Sequence, residues 1–328
     1  MTVPSKSSSR ILSFLFIIIA LALVLISFRP VLTSGFSGWD EDTHLLQNLT
    51  VRDLNLEKVK EIFTQRVNEI YIPLTTLSYA LEYKFFKYNP FIYHLDNLIL
   101  HVLVVVFIYL IARRLGISAL GSALAALIFG IHPMHVESVA WIVERKDVLY
   151  AFFYLLALLL YLQYLLCLRE KKPPYVYLFL IFVFAALSMF AKPMALSLPI
   201  IFLVMDWFLK RAWHPKIIIE KIPLFLVVGF IGWLSYAPHA RLPGNSILEA
   251  MLTWSWTAIF YLRQFLFLLN LVPIYHLPQP VSFSNPEYLL SFIAFVIIVF
   301  ALIRFSQYRR IKFGFLFVYS KYIWIIFF

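Results

Sequence analysis

Three consecutive carboxylates follow the first long apolar run of the chain. Asp40, Glu41 and Asp42 stand between Trp39 and Thr43. A run of like charges usually forms a turn that faces water. Close to a bilayer, one of these carboxylates could instead act as a general base, because partial desolvation and a charged neighbour raise its pKa. Both interpretations stay open on these residues alone.

A second polar stretch carries His132, His135 and Glu137. Two histidines and a glutamate suggest a metal site, but their spacing is not the His-Glu-x-x-His pattern of zinc enzymes. Pro133 disturbs the helix that would align the three side chains, and a fourth ligand is not evident. The sequence therefore disfavours a metal site here.

Polar side chains also recur on one face of a predicted helix. His94, Asn97 and His101 follow one another at helical spacing,. Polar groups inside a membrane span are costly unless they face the interior of a bundle or a wet cavity. Hydrogen bonds between helices are one explanation, and the lining of a functional site is the other.

The composition is that of an integral membrane protein. Hydrophobic residues make up 62% of the 328 residues and charged residues only 14%, outside the usual balance for a soluble domain. The net charge of +11 comes from short basic clusters between apolar runs, which set membrane orientation, so nucleic acid is excluded as a partner. The single cysteine, Cys167, excludes a disulfide framework,.

The apolar runs predict an all-α polytopic membrane protein, a single domain over residues 1–328 with about 9–10 transmembrane segments. The first run, Ile11 to Phe28, follows basic residues and has no small-residue cleavage site behind it, so we expect an uncleaved helix with a cytoplasmic N-terminus. The further runs cover residues 92–111, 118–131, 148–167, 175–190, 194–209, 217–237, 287–304 and 313–328.

Basic clusters mark alternate connections between these runs, and the positive-inside rule assigns them to the cytoplasm. They are Arg113–Arg114, residues 169–172, residues 210–216 and residues 309–312. The connections predicted to face the opposite side are residues 29–91, residues 132–147 and the turn at Lys192–Pro193.

Two of the longer segments are not simple spans. The first extracytoplasmic loop, 29–91, is predicted to carry two short interfacial helices, because apolar residues recur at helical spacing from Leu56 and again after Pro73,. Segment 239–286 breaks the alternation of sides, and prolines bracket its apolar stretch. We therefore expect a re-entrant or interfacial segment there.

Basic residues on the outer side are the exception to the charge pattern. The positive-inside rule gives no reason for the pair Arg145–Lys146, so it could hold an anionic group. Lys192 either belongs to the same site or simply extends its ammonium to water. Together with the acidic loop and the histidines, these cations could bind a phosphate and activate a hydroxyl.

Two motifs, residues 132–141 and 144–149, resemble those of membrane O-mannosyltransferases of the cadherin-targeting type and their bacterial tetratricopeptide-linked relatives. The likeness extends to Trp39–Asp42, to Asn89–Phe91 with the polar face behind it, and to Tyr261–Tyr275, over most of residues 10–320. It implies the fold of the C-type glycosyltransferases, whose donors are polyprenyl-phosphate sugars.

The resemblance also implies roles for individual residues. Asp40 would be the catalytic base and Glu41 its acidic neighbour, with Asp42 left open as the base. Arg145, Lys192 and His135 would stabilise the departing phosphate. The remaining residues expected at the donor site are His132, Glu137, Asp147, His94, Asn97 and His101. No cofactor or metal ligand is assigned, although some relatives use a divalent cation.

The implied activity is inverting transfer of a sugar, expected to be mannose, from dolichyl or undecaprenyl phosphate to a protein hydroxyl or a glycan. The expected membrane is the bacterial inner membrane, or the endoplasmic reticulum of a eukaryote, with the site on the extracytoplasmic side. The repeat domain that usually follows in the family is absent from residues 1–328. A truncated, inactive remnant or scaffold is the first alternative, and a lipid or solute transporter is the second.

Overall fold

The chain is an all-helical integral membrane protein. A computed structural model describes residues 6–236, 246–268, 271–272, 275–304, 309, 313–314 and 316. The structure is 78% helical, and the described residues contain no strand, only an isolated bridge between Val67 and Ile70. The all-α prediction is confirmed.

The helices follow the predicted apolar runs closely. Within the described residues the α-helices are α1 (Lys6–Phe28), α2 (Leu56–Thr64), α3 (Pro73–Phe86), α4 (Pro90–Arg114), α5 (Ala119–Ile131), α6 (Val136–Ala140), α7 (Arg145–Arg169), α8 (Tyr175–Ala191), α9 (Leu198–Phe208), α10 (Lys216–Ile219), α11 (Ile222–Tyr236), α12 (Ile247–Phe267) and α13 (Pro286–Arg304).

Some of these helices are long and apolar enough to cross a bilayer. By length and composition, three helical stretches qualify: Ile11–Thr33, Pro90–Arg114 and Ile142–Arg169. A bent pair, Ala119–Ile131 with Pro133–Ala140, adds a fourth if its two parts, which meet at 53°, form one span. Shorter apolar helices account for most of the other predicted runs. The total of 9–10 spans stays a prediction.

Two sequence predictions fall in the C-terminal third of the chain. The run 313–328 lies almost wholly outside the described residues. The apolar part of segment 239–286 forms one continuous helix, α12, which opens on a capping box between Ser246 and Glu249. The re-entrant or interfacial placement of this segment stays a prediction.

The chain forms two compact units. The first contains residues 1–195 and 226–235, and the second contains residues 196–225 and 236–328. In the first unit, α4 packs against α1, α5 and α7, while α8 lies along α7. In the second unit, α12 packs against α13. The prediction of a single domain is not tested by this division.

Gly130, near the end of α5, packs closely against α1 and α4. A Cβ atom added at Gly130 would lie 2.5 Å from a methyl group of Val24 in α1 and 3.0 Å from one of Val105 in α4. Both valines are fully buried. Because both contacting atoms belong to short, branched side chains, they cannot swing away as a long side chain would.

Gly130→Ala should therefore destabilise the first unit by about 1–3 kcal/mol through overpacking. The measurement is thermal unfolding in detergent micelles. Gly229→Ala in α11 is the matched control, because nothing lies within 4 Å of the added Cβ and alanine favours a helix over glycine. Equal stability of the two variants would contradict the close approach at Gly130.

Candidate functional site

Arg145, the first residue of α7, is a buried charged residue with 1% of its surface exposed. Its Nε donates to Oδ1 of Asn97 at 2.8 Å, and its Nη2 donates to the carbonyl oxygen of Tyr93 at 2.7 Å. Its Nη1 forms an ion pair with Glu82. The guanidinium also lies 4.9 Å from the ring centre of Tyr79. Every nitrogen of the side chain is thus used inside the protein.

Helix α3, in the segment 29–91, supplies two of the partners of Arg145, Glu82 and Tyr79. The Tyr79 hydroxyl donates to the carbonyl oxygen of Ile142 at 2.9 Å, directly before α7. The Thr75 hydroxyl donates to the carbonyl oxygen of Ala191 at the end of α8, also at 2.9 Å. These bonds tie α3 to the ends of two helices, so the ion pair between Glu82 and Arg145 forms in a fixed frame.

Glu41 is a buried carboxylate whose oxygens are both occupied. Oε2 accepts from the Ser37 hydroxyl at 2.5 Å and from the backbone N–H of Trp39 at 3.2 Å, while Oε1 accepts from the N–H of Ser37 at 3.2 Å. Burial alone would raise the pKa of Glu41, but the hydrogen bonds from Ser37 outweigh it and hold the pKa below its ordinary value,. Gly38, at φ +78°, lets the loop turn around this carboxylate,. Glu41 therefore shapes the loop.

Asp40, next along the chain, is in a different situation. Its backbone oxygen accepts from the N–H of His44 at 3.0 Å and from the hydroxyl of Thr43 at 3.1 Å. Among the described residues, none donates a hydrogen bond to its half-buried carboxylate. This carboxylate is therefore available to an incoming hydroxyl.

His44 is a buried histidine on which the charges of Asp40 and Lys146 both act. Only 2% of His44 is exposed. Burial and the nearby Lys146 ammonium lower the pKa of His44 to about 4, against an opposing effect of Asp40. The imidazole is therefore neutral at physiological pH, and the carboxylate of Asp40 and the ammonium of Lys146 both act on it.

Four charged side chains form a compact network at the start of α7 and the end of α8. Nζ of Lys146 lies 2.6 Å from Oε1 of Glu144. Lys192 forms an ion pair with Asp147, and its Nζ is 3.9 Å from Oε2 of Glu144. Ser138 donates its hydroxyl proton to Asp147 at 3.2 Å. Two cations face two anions, so the network balances its own charge.

Solvent reaches one end of this network more than the other. The side chains of Lys192 and Asp147 are 24% and 26% exposed, whereas those of Lys146 and Glu144 are 10% and 13% exposed. A ligand that approaches from outside would therefore meet Lys192 and Asp147 first.

The predicted polar face of α4 turns into the protein. The Asn97 amide donates to the carbonyl oxygens of Val139 and Trp141 at 3.4 and 3.3 Å. Nε2 of His94 lies 3.3 Å from the carbonyl oxygen of Gly35 in the acidic loop. Bonds between elements, one of the two explanations that the sequence left open, thus involve both side chains, although Nδ1 of His94 is buried without a hydrogen-bond partner among the described residues.

The other three histidines that the sequence singled out, His101, His132 and His135, gather in a separate aromatic cluster. His101 lies 2.8 Å from the carbonyl oxygen of Gly130 through Nε2, and its ring centre is 5.9 Å from that of His135. His135 packs on Phe129 at 4.1 Å, and the rings of His132 and His135 are 6.2 Å apart. Within the described part of the chain, no group of three or more His, Cys, Asp or Glu side chains could hold a metal ion.

The structure thus divides the predicted site residues into three sets. Asp147 and Lys192 join one network, and the charges of Asp40 and Lys146 both act on the buried imidazole of His44. Glu41, His94, Asn97 and Arg145 have internal hydrogen-bonding or ion-pair partners. His101, His132 and His135 form the aromatic cluster, and Glu137 is exposed on the first turn of α6.

Sequence reasoning missed three residues of this region: His44, Glu82 and Glu144. Glu144 and His44 each stand beside residues that were singled out, so adjacency was a usable signal. The sequence gives no such signal for Glu82, because a lone carboxylate on a short loop helix is usually an exposed charge.

Comparison with curated proteins identifies relatives for part of the chain. It is 39% identical over 97 residues to protein O-mannosyl-transferase TMTC3 of Mus musculus, which is 30% of this chain and 10% of that protein. It is 40% identical over 94 residues to protein O-mannosyl-transferase tmtc2 of Xenopus laevis, covering 29% and 11%. The same length of Tmtc1 of Drosophila melanogaster is 39% identical. The matched stretch spans about a tenth of the length of these relatives.

The resemblance to O-mannosyltransferases is confirmed over that stretch. No family model matches the chain, and no solved structure matches it.

Removing the Arg145 guanidinium should strongly destabilise the protein. Arg145→Met leaves the Glu82 carboxylate buried without its partner, which costs about 3–5 kcal/mol. The double variant with Glu82→Gln should recover much of that loss, because no buried charge remains. Thermal unfolding in micelles measures both. Lys58→Met, which breaks the half-exposed pair with Glu61, should change little, and an equally small effect of Arg145→Met would refute the internal role of Arg145.

His44 should make stability depend on pH. Its pKa in the folded protein, about 4, lies below the ordinary value of 6.5. Its contribution to the free energy of unfolding is therefore complete above pH 6.5 and is lost as the pH falls from 6.5 towards 4,. Acidification from about pH 7 to about pH 5 should cost about 2 kcal/mol through this residue. Unfolding midpoints of the parent and of His44→Gln, compared at both pH values, should converge at low pH; parallel shifts would exclude His44 as the source.

Proposed function

We propose that the protein transfers mannose from a polyprenyl-phosphate donor to a hydroxyl group of a protein or glycan, on the extracytoplasmic side of the membrane. The observation that carries the proposal is a carboxylate without a hydrogen-bond donor, Asp40, beside a network that contains two lysines, Lys146 and Lys192. A base and cations are the two features that this reaction needs from a protein.

In the proposed reaction, Asp40 accepts the proton of the acceptor hydroxyl while the hydroxyl oxygen attacks the anomeric carbon. The bond from that carbon to the phosphate oxygen breaks, and the polyprenyl phosphate departs with the electron pair. Attack opposite to the leaving group inverts the anomeric configuration, so the base and the phosphate must lie on opposite sides of the sugar. A general base of this kind contributes about 10²–10⁴-fold to the rate.

Lys192 is the proposed contact for the departing phosphate. It is the more exposed of the two lysines, and an ammonium stabilises the negative charge that develops on the phosphate. Glu144 and Asp147 hold the lysines in place through the ion pairs described above, and burial, together with the Lys146 ammonium, keeps His44 neutral. Neither lysine then needs to reorganise as the charge develops.

Arg145 takes a different role from the one that the family resemblance implied. All of its nitrogens are engaged by internal partners, so we assign it the task of fixing the start of α7. Lys146 and Asp147, which belong to the network around Lys192, follow Arg145 directly in α7.

Three lines support this proposal. The curated relatives are named protein O-mannosyl-transferases. The chain has helices suited to a membrane, where a polyprenyl lipid would reside. The donor class and the inverting course rest on the resemblance of the motifs at residues 39–42 and 132–149 to the wider family.

Asp40→Asn should reduce sugar transfer by about 10²–10⁴-fold, because an amide cannot accept the hydroxyl proton. The assay uses membranes that contain the full chain, labelled polyprenyl-phosphate mannose and protein acceptors. Asp42→Asn is the matched control, one carboxylate further along the same loop, and should retain activity within a few-fold.

Normal turnover by Asp40→Asn would overturn the assignment of the base. Loss of activity in Asp42→Asn alone would move the base to Asp42. Absence of transfer by the parent protein from any polyprenyl-phosphate sugar would favour the inactive scaffold instead.

A further inference from the structure

Trp39 is an exposed aromatic residue that directly precedes the proposed base, Asp40, in the chain. Its side chain is 52% exposed, whereas tryptophan is highly buried on average in folded proteins. About half of its surface is therefore free to meet a ligand. Because Trp39 and Asp40 are consecutive, a ligand that covers the indole lies close to the carboxylate that would accept the proton.

The backbone at Trp39 is fixed by the turn that encloses Glu41. Its N–H donates to Oε2 of Glu41 at 3.2 Å, and its carbonyl oxygen accepts from the N–H of Asp42 at 3.4 Å. Gly38, directly before it, has the positive φ that this turn requires,. The bonds that hold the structural carboxylate thus also hold the exposed tryptophan.

A second tryptophan orients the exposed ring. The ring centres of Trp39 and Trp141 lie 5.8 Å apart, and the angle between the ring planes is 88°. Aromatic pairs favour this edge-to-face arrangement. Trp141 is itself held, because its carbonyl oxygen accepts from the Asn97 amide at 3.3 Å and from the N–H of Glu144 at 3.1 Å. Trp39 therefore packs against the segment that leads into the charged network.

A lipid and a sugar are the two kinds of molecule that could cover this free surface. Tryptophan is enriched at membrane interfaces, but a contact with fluid lipid does not require a fixed ring orientation. Stacking on a rigid sugar ring does require one. Mannose in its chair form keeps its axial hydroxyl on one ring face, and the opposite face carries axial C–H groups. These polarised C–H groups are attracted to the negative face of an aromatic ring.

We propose that Trp39 binds the sugar ring of the donor by stacking on this C–H face. The inference rests on the proposed function, because it concerns the sugar-binding part of the same site. Asp40 acts on the acceptor hydroxyl and Lys192 on the phosphate, and neither fixes the orientation of the sugar between them. A stacked ring supplies that orientation, and correct orientation contributes much of the rate of a transfer between two bound molecules.

Steady-state transfer from labelled polyprenyl-phosphate mannose, by membranes that contain the full chain, tests the stacking. Trp39→Ala and Trp39→Leu should each lower kcat/KM for the donor by about tenfold, whereas Trp39→Phe should retain most of it. Trp213→Ala is the matched control and should leave kcat/KM unchanged, because Trp213 is also exposed, at 73%, but belongs to the connection between α9 and α10. Full activity of Trp39→Leu would show that position 39 needs only an apolar side chain, and would overturn the proposal.

A binding measurement separates this inference from the reaction. The full chain is labelled with fluorotryptophan in detergent micelles, and the fluorine resonance of Trp39 is the one that Trp39→Phe lacks. The probes are citronellyl-phosphate mannose, which is a short isoprenoid donor, and citronellyl phosphate, which lacks the sugar. We expect the Trp39 resonance to shift with the first probe and much less with the second.

Each remaining outcome bears on a different claim. Equal shifts with both probes would show that Trp39 contacts the lipid, and would overturn the stacking. Turnover of the donor without a shift of the Trp39 resonance would overturn the stacking and leave the proposed function intact. A sugar-dependent shift without turnover would support the stacking in a protein that binds the donor and does not transfer. Absence of both turnover and shift would overturn the proposed function together with this inference.

Discussion

The buried ion pair between Arg145 and Glu82 is the constraint on which the junction of α3, α4 and α7 depends. Removing both charges from water is costly, and such a pair persists only when its remaining hydrogen-bonding groups are satisfied. Asn97 and the Tyr93 carbonyl oxygen meet that need for Arg145. Glu82 lies on α3, Asn97 and Tyr93 lie on α4, and Arg145 begins α7. One guanidinium therefore determines how these three helices meet. The position of the network of Glu144, Lys146 and Asp147 depends on this junction, because these residues stand beside Arg145 in the chain.

Adjacent carboxylates in the first loop have different chemistry because their surroundings differ. Glu41 is enclosed by donors from the turn that it stabilises, and the pKa of its carboxyl is held low. Asp40, one residue earlier, keeps its carboxylate oxygens without such donors among the described residues. The same division between a structural and a reactive acid recurs wherever two carboxylates are placed in unequal environments. In this loop, the difference between the two carboxylates arises from the turn at Gly38.

Hydropathy and proline positions predict much of this architecture, because a span must be both long and apolar. They recover α4, α5, α7, α8 and α13 closely, and both helices of the first loop. Long-range pairing is a different matter. Glu82 and Arg145 are 63 positions apart, and nothing in the local pattern says that a loop carboxylate will enter the core. Periodicity likewise groups His94, Asn97 and His101 on one face without saying which neighbour each will contact. The partner of each side chain could therefore not be predicted from the sequence.

Helix α3 couples the two helix ends that carry the charged network. Its Glu82 and Tyr79 side chains hold Arg145 at the start of α7, and its Thr75 hydroxyl donates to the carbonyl oxygen of Ala191 at the end of α8. A displacement of α3 would therefore act on both ends together, and Lys146 and Lys192 would move with them. A helix that contributes no residue to the network thus fixes the spacing of its two cations.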